Sequence, residues 1–198
     1  MSVTPQLVLF AKPPLAGRVK TRLAKDVGSA FATSFYRQAT ARLLRRLADP
    51  RWRTVLCADA PPGVGPACWP PGVRRIAQGG GNLGDRMRRA LRRLPPGPVV
   101  ILGTDAPQVT RADVAAAFAA LRGADLVVGP AEDGGYWLIG ASRRRPLPGL
   151  FEGVRWSTKH ALGDTLASLP GDARVAHLRT LRDVDDGEDL KALRSTSP

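Results

Sequence analysis

The sequence predicts an α/β fold, a three-layer α/β/α sandwich around a mostly parallel β-sheet. Short apolar runs of strand length alternate with longer amphipathic or alanine-rich segments along most of the 198 residues. The apolar, β-branched run that begins at Val99 and ends before Gly103 is typical of a buried central strand. No internal repeat is visible. We therefore expect a single domain over residues 1–198.

Composition limits the class of protein. Lysine and arginine number 30 against 17 aspartates and glutamates, a formal net charge of +13, which indicates a nucleic-acid partner or an acidic small-molecule substrate. The arginines are scattered over predicted helix faces with few aromatic residues between them, which favours solvated helix faces. The apolar runs are too short for a membrane span and the first residues lack a secretion signal, so we expect a cytoplasmic protein. Cys57 and Cys68 fit no zinc or disulfide pattern.

The expected elements follow the chain in order. We expect strands at residues 6–11, 54–58, 73–77, from 99 up to Gly103, 125–130, 136–140 and 174–178. A helix from Ser29 to about residue 48 would bury Phe31, Phe35, Ala39, Leu43, Leu44 and Leu47. Further helices are expected from the 78–86 segment to Leu94, from the capping-box start at Thr110 to about residue 122, and from an N-cap at Ser157 to Leu169. A C-terminal helix is expected to begin in the acidic segment 183–190 and to run through Leu193.

A basic loop over residues 12–22 directly follows the first strand. It places Gly17 among four cationic side chains, Lys12, Arg18, Lys20 and Arg22. Backbone N–H groups and cations that follow a strand can converge on a phosphate, although the Walker spacing is absent. The alternative is a solvated basic loop.

Asp105 follows the strand that begins at Val99. Ligands of open α/β sheets bind beyond the carboxyl ends of such strands, so Asp105 would lie in the crevice. The alternative is that Asp105 only forms a turn before Pro107.

Two glycine-bearing segments and an acidic cluster are open to two interpretations. The three glycines that follow Gln78 permit close approach to a ligand or form a flexible turn. Glu132 and Asp133 precede a glycine pair, which indicates either a plain β-turn or groups that position a hydroxyl or act as a base. The acids at 186–189 fit a helix start without any chemistry. Asp183 and Asp185 precede that helix, so a role at the helix start does not explain them as readily.

Six motifs in this order resemble the DUF2064 family, also called radical-SAM/selenodomain-associated transferase 1, a family of proposed glycosyltransferases of the GT-A superfamily. The motifs occupy residues 10–23, 78–87, 103–107, 132–140, 156–158 and 183–190. The resemblance runs from about residue 7 to residue 193. It implies a GT-A-like fold, that of nucleotide-diphospho-sugar transferases, which nucleotidyltransferases share.

The resemblance also implies a role for particular residues. The nucleotide and its phosphates would be bound by Lys12, Gly17, Arg18, Lys20, Arg22, Gln78, Gly79 and Arg86. A divalent metal would be bound by Asp105 and Asp185, although Asp183 or Asp186 could replace the latter. The acceptor would contact Asp133, Gly134, Gly135, Tyr136, Trp156 and Ser157. The catalytic residues would be Asp105, Lys20 and Asp133.

The chemistry of these residues agrees with that assignment. Carboxylate oxygens suit Mg²⁺ or Mn²⁺, and cations on the facing loop would neutralise charge on a leaving group. We therefore expect a metal-dependent transferase that moves a glycosyl group from a nucleotide-sugar donor to a small-molecule acceptor. The alternative is a nucleotidyltransferase that joins an NTP to a phosphorylated small molecule and releases pyrophosphate. A remote alternative is a basic nucleic-acid-binding protein.

Overall fold

The structure, a computed structural model, describes residues 3–59, 69 and 71–182. Within these residues, seven strands form one sheet in the order β3-β2-β1-β4-β6-β5-β7. The strands are β1 (Gln6–Ala11), β2 (Arg53–Ala58), β3 (Arg74–Ala77), β4 (Val99–Leu102), β5 (Leu126–Pro130), β6 (Tyr136–Ala141) and β7 (Val175–His177). Of these, β6 runs antiparallel to both of its neighbours and the others are mutually parallel. The prediction of a mostly parallel sheet is confirmed.

Helices cover both faces of the sheet. They are α1 (Thr21–Val27), α2 (Ser29–Arg46), α3 (Leu83–Arg93), α4 (Arg111–Ala120) and α5 (Ala161–Ala167). Because side chains alternate along a strand, Leu7 and Leu9 of β1 join the core beneath α2 and α4, whereas Val8 and Phe10 join the core beneath α3 and α5. Three layers result, as predicted. In the described part of the chain, no helix combines the length and apolar character that a membrane crossing requires.

The buried face of α2 is as predicted at Leu43, Leu44 and Leu47 but differs from the prediction nearer the start of the helix. Phe31 is 44% exposed, whereas Ala32 and Tyr36 are buried. Phe35 is partly buried and packs with Leu23 of α1. This short helix was not predicted, and its first two residues fall in the expected loop over residues 12–22. In the first half of the helix the apolar spacing therefore placed the buried face one residue away, and the ring that is buried there is that of Tyr36.

The start of α5 also differs from the prediction. The helix begins at Ala161 with His160 in the N-cap position, and Ser157 lies in a preceding turn with a left-handed backbone, φ 60°. The Thr158 hydroxyl there accepts from the His160 N–H and donates to the Arg155 carbonyl. By contrast, the capping box from Thr110 to Asp113 is confirmed. The expected C-terminal helix lies outside the described residues.

The strand order reverses at the centre of the sheet. From β1 the chain moves outward through β2 to β3 and then returns to β4, on the other side of β1. Such a switch point leaves a crevice beyond the carboxyl ends of the two central strands. In this molecule that position lies between Ala11 and the segment that begins at Gly103.

Candidate active site

A cavity of about 600 Å³ lies at the switch point. Its wall includes apolar side chains from β1, α3, β4 and β6, among them Phe10, Met87, Ile101 and Ile139. The predicted site residues that line it are Lys12, Arg18, Lys20, Arg22, Gln78, Arg86, Asp105, Tyr136 and Ser157. The sheet therefore brings the basic loop, the Asp after β4 and part of the predicted acceptor region to one cavity.

Lys20 and Asp105 form an ion pair within the cavity. The Lys20 Nζ lies 2.5 Å from Asp105 Oδ1, and the side chains are 6% and 48% exposed, respectively. Lys20 precedes α1 with a left-handed backbone, φ 47°, a conformation that is uncommon for a residue with a side chain and is concentrated at ligand-binding sites. The ammonium thus lies inside the cavity beside a carboxylate that solvent can still reach.

Tyr36 joins the two central strands at the cavity. Its hydroxyl oxygen accepts from the Lys12 backbone N–H at 2.9 Å and from the Thr104 hydroxyl at 3.3 Å. Burial raises the pKa of Tyr36 and so favours the neutral phenol. This residue was not predicted as part of the site, but its spacing from Ala32 and Thr40 on the buried face of α2 could have indicated it.

Gln78 and Arg86 are engaged mainly with the protein itself. The Gln78 amide donates to carbonyls at the ends of β1 and β2, at 3.3 and 2.9 Å. Arg86 donates from Nη1 to Asp59 Oδ2 at 3.0 Å and from Nε to the Gly81 carbonyl at 3.0 Å. Asp59 was not predicted either, although it follows β2 at the same edge of the sheet. Gln78 and Arg86 thus form part of the cavity wall while they are bonded to the protein.

Gly17 and Gly79 do not line the cavity. Gly79 has φ 77°, and a Cβ added there would lie 2.7 Å from the Arg89 guanidinium, which itself donates to the Gln78 and Gly80 carbonyls. The turn interpretation explains the requirement for glycine at this position. Gly17, at φ 74°, likewise has the conformation of a turn.

Four of the predicted acceptor residues also lie away from the cavity wall, namely Asp133, Gly134, Gly135 and Trp156. Asp133 is exposed, and its Oδ1 accepts from the Gly135 N–H at 2.8 Å, the geometry of a turn. Trp156 packs against Phe151 with ring centroids 6.1 Å apart. Their proposed roles stay predictions.

Asp105 is the predicted metal ligand that the structure describes. Within the described residues, no group of three or more histidines, cysteines or acidic residues is assembled. Asp185, the second predicted ligand, lies outside those residues. A half-exposed carboxylate is nevertheless a suitable partner for Mg²⁺, which is commonly bound through one or two carboxylates together with substrate phosphates.

The fold, with its seven-stranded sheet, is that of nucleotide-diphospho-sugar transferases, as the superposed structures show. A candidate nucleotide-diphospho-sugar transferase from Desulfovibrio desulfuricans G20 superposes with a TM-score of 0.88 at 30% identity, over 97% of this chain and 87% of that one. The chain belongs to the DUF2064 family, described as an uncharacterized protein conserved in bacteria, whose match spans residues 40–158. No significant match is found among curated proteins.

Two more distant structures share the fold. Rv0371c from Mycobacterium tuberculosis H37Rv, in complex with manganese, has a TM-score of 0.59 at 18% identity over 98% of this chain and all of the other. The 4-diphosphocytidyl-2C-methyl-D-erythritol synthase from Anaerococcus prevotii DSM 20548 has a TM-score of 0.59 at 11% identity over 96% of both chains. These two structures show the shared fold, and the structure at 30% identity is that of a candidate nucleotide-diphospho-sugar transferase.

Proposed function

We propose that this chain is a metal-dependent transferase that moves a glycosyl group from a nucleotide-sugar donor to a small acceptor. The observation that carries the proposal is the meeting, in one cavity, of the cationic β1–α1 loop with Asp105. The relative at 30% identity, a candidate nucleotide-diphospho-sugar transferase, supports the choice of donor.

The basic loop would bind the donor phosphates. Lys12 and Arg18 line the cavity, and neither side chain has an ion-pair partner among the residues that the structure describes. Charge-assisted hydrogen bonds from such groups to phosphate oxygens are among the stronger ones in proteins. The same cations would stabilise the negative charge that develops on the leaving nucleoside diphosphate.

Positioning and electrostatics would account for the catalysis. The described residues that line the cavity include neither a cysteine nor a histidine, and its carboxylate is Asp105. The apolar wall would exclude water from the reacting groups, and the acceptor would contact Ser157 and the ring of Tyr136, which line the cavity. Asp105, with Asp185 as the predicted second ligand, would hold Mg²⁺ or Mn²⁺, and the bound ion supplies further neutralisation of the phosphate oxygens.

Nucleotidyl transfer is the second candidate, because the charge of the cavity favours it. Among the described lining residues the cations are Lys12, Arg18, Lys20, Arg22 and Arg86. They face the carboxylate of Asp105 and that of Asp59, which pairs with Arg86 from outside the lining. A triphosphate carries more negative charge than a nucleotide sugar and would offset this excess more fully. In this reaction a phosphorylated acceptor would attack the α-phosphate of the NTP.

The released phosphate species distinguishes the two reactions. The protein is incubated with panels of nucleotide sugars and of NTPs, with Mg²⁺ or Mn²⁺ and candidate acceptors, and the products are separated by ion-exchange chromatography. Nucleoside diphosphate or monophosphate identifies glycosyl transfer, whereas pyrophosphate identifies nucleotidyl transfer. Asp105→Ala should lose metal-dependent nucleotide binding without unfolding. Both candidates fail if calorimetry detects no nucleotide binding at any metal concentration.

A further inference from the structure

The Lys20 ammonium contacts the carboxylate of Asp105, the predicted ligand of the divalent cation. Its Nζ lies 2.5 Å from Asp105 Oδ1, and its side chain is almost fully enclosed at 6% exposure. The carboxylate itself is 48% exposed and faces the cavity. The cation that approaches Asp105 from the protein side is thus part of the loop that would bind the donor phosphates.

We propose that Lys20 holds the place of the divalent metal at Asp105 and leaves it only when donor phosphates attract the ammonium. The metal would then enter together with the nucleotide or after it, not before. This inference rests on the proposed function, because it assigns the order in which the ligands of that same site bind.

Simple electrostatics links the two cations. An ammonium in contact with a carboxylate oxygen both blocks that oxygen and repels a second positive charge a few ångströms away. A diphosphate offers Lys20 other oxygens within the same cavity, and it offers the metal further ligands of the kind that Mg²⁺ and Mn²⁺ prefer. Donor binding would therefore remove the competitor and complete the metal site in one event.

Direct measurement of Mn²⁺ binding tests the inference without any assay of activity. Free Mn²⁺ is titrated by electron paramagnetic resonance against the wild-type protein, Lys20→Met and Lys20→Arg, in the absence of nucleotide. Lys20→Met should bind Mn²⁺ roughly 10- to 30-fold more tightly than wild type, because a competing unit charge has been removed from within a few ångströms. Lys20→Arg keeps the charge and should bind as weakly as wild type.

Two further variants make the result specific to this pair. Lys25→Met removes the same charge from an exposed position in α1 that does not line the cavity, and it should leave Mn²⁺ affinity unchanged. Adding Asp105→Ala to Lys20→Met should abolish the tight binding. Thermal unfolding of each variant verifies that it is folded.

The possible outcomes separate the inference from the proposed function. If Lys20→Met binds Mn²⁺ no more tightly than Lys25→Met, or if its tight binding persists without Asp105, the inference is wrong. If UDP or CTP still brings Mn²⁺ to the wild-type protein but not to Asp105→Ala, the metal-dependent function stands. If no variant binds Mn²⁺ with or without these nucleotides, both fail.

Discussion

Two basic, proline-containing loops lie at opposite ends of the strands, because β6 runs antiparallel to β1, and they use their cations differently. The loop after β1 presents Lys12 and Arg18 to the cavity, with no ion-pair partner for either in the described residues. In the loop after β6, Arg143 donates to carbonyls that follow α3, Arg144 to carbonyls that follow α4, and Arg145 to two aspartates. The first loop has cations to offer a ligand, whereas the second uses its cations to hold the fold together.

The two loops differ because different hydrogen-bond acceptors of the protein lie within reach of their cationic side chains. Helices leave unpaired carbonyls at their C-termini, and guanidinium groups that reach them satisfy both partners. The loop after β1 lies instead at the carboxyl ends of parallel strands, where Asp105 is the carboxylate among the described residues that line the cavity. A cationic loop is therefore a candidate ligand site only where the protein does not itself supply the acceptors.

Arg143→Ala should have the largest effect and should act on stability alone. The variant loses three hydrogen bonds to the Leu94, Pro95 and Gly97 carbonyls. Because bonds from a charged donor to partly buried groups are lost, the free energy of unfolding should fall by about 2–3 kcal/mol. Urea denaturation measures this change, with Arg42→Ala on the exposed face of α2 as a control that should change by less than about 0.5 kcal/mol. A loss of nucleotide affinity at normal stability would contradict the contrast between the loops.

Arg18→Ala should show the converse. The dissociation constant of the donor nucleotide should rise about tenfold, the effect of one charge-assisted hydrogen bond to phosphate, while the free energy of unfolding stays unchanged. Isothermal titration calorimetry checks the first and urea denaturation the second. Arg42→Ala again controls for the loss of net charge. An unchanged nucleotide affinity would indicate that the loop after β1 is only solvated.

Tyr36→Phe tests how the first loop is attached. The change removes the acceptor of the Lys12 N–H and of the Thr104 hydroxyl, so the free energy of unfolding should fall by about 1 kcal/mol. Nucleotide affinity should fall less than in Arg18→Ala, because the cations remain but the loop is less well positioned. Denaturation and calorimetry on the same preparation measure both. Wild-type values in both experiments would rule out a positioning role.

Asp125→Asn tests the second loop through its pH dependence, with the smallest effect. The Arg174 N–H and the Arg145 side chain hold the pKa of Asp125 below its ordinary value of 3.8. A carboxylate with a lowered pKa stabilises the folded state at neutral pH, and that contribution is lost as the pH falls toward the lowered value. The variant should therefore melt at a lower temperature at neutral pH but lose less Tm than wild type between about pH 5 and about pH 2. Parallel melting curves for the two proteins would contradict this.

Local patterns account for the parts of the fold that the sequence predicted. The strands at β1, β4 and β5 are short apolar runs bounded by glycine, proline or charged residues, and the helix after Thr110 has its capping box within four residues. These signals need no knowledge of distant residues. The expectation that Asp105 lies in a crevice came from the rule that ligands bind beyond the carboxyl ends of the strands. The strand order that brings the basic loop beside it was not predicted.

The features that the sequence did not reveal depend on distant partners. The spacing of Tyr36 fits the buried face of α2, but the two groups that its hydroxyl accepts from, the Lys12 N–H and the Thr104 hydroxyl, belong to distant segments. Gln78 is a polar residue in a glycine-rich segment, and only the carbonyls at the ends of β1 and β2 identify it as a residue that binds the sheet. The ion pair of Lys20 with Asp105 likewise joins segments far apart in the chain.

The position of β1 has a consequence for the way the chain folds. Its two neighbours are β2, which follows after one pair of helices, and β4, where Gln6 pairs with Val99. One edge of an almost wholly apolar strand is thus without its partner until residues 99–102 have been synthesised. Contacts of such long sequence separation slow folding, and an unpaired strand edge is prone to aggregate in the meantime. We therefore expect slow refolding that is sensitive to protein concentration.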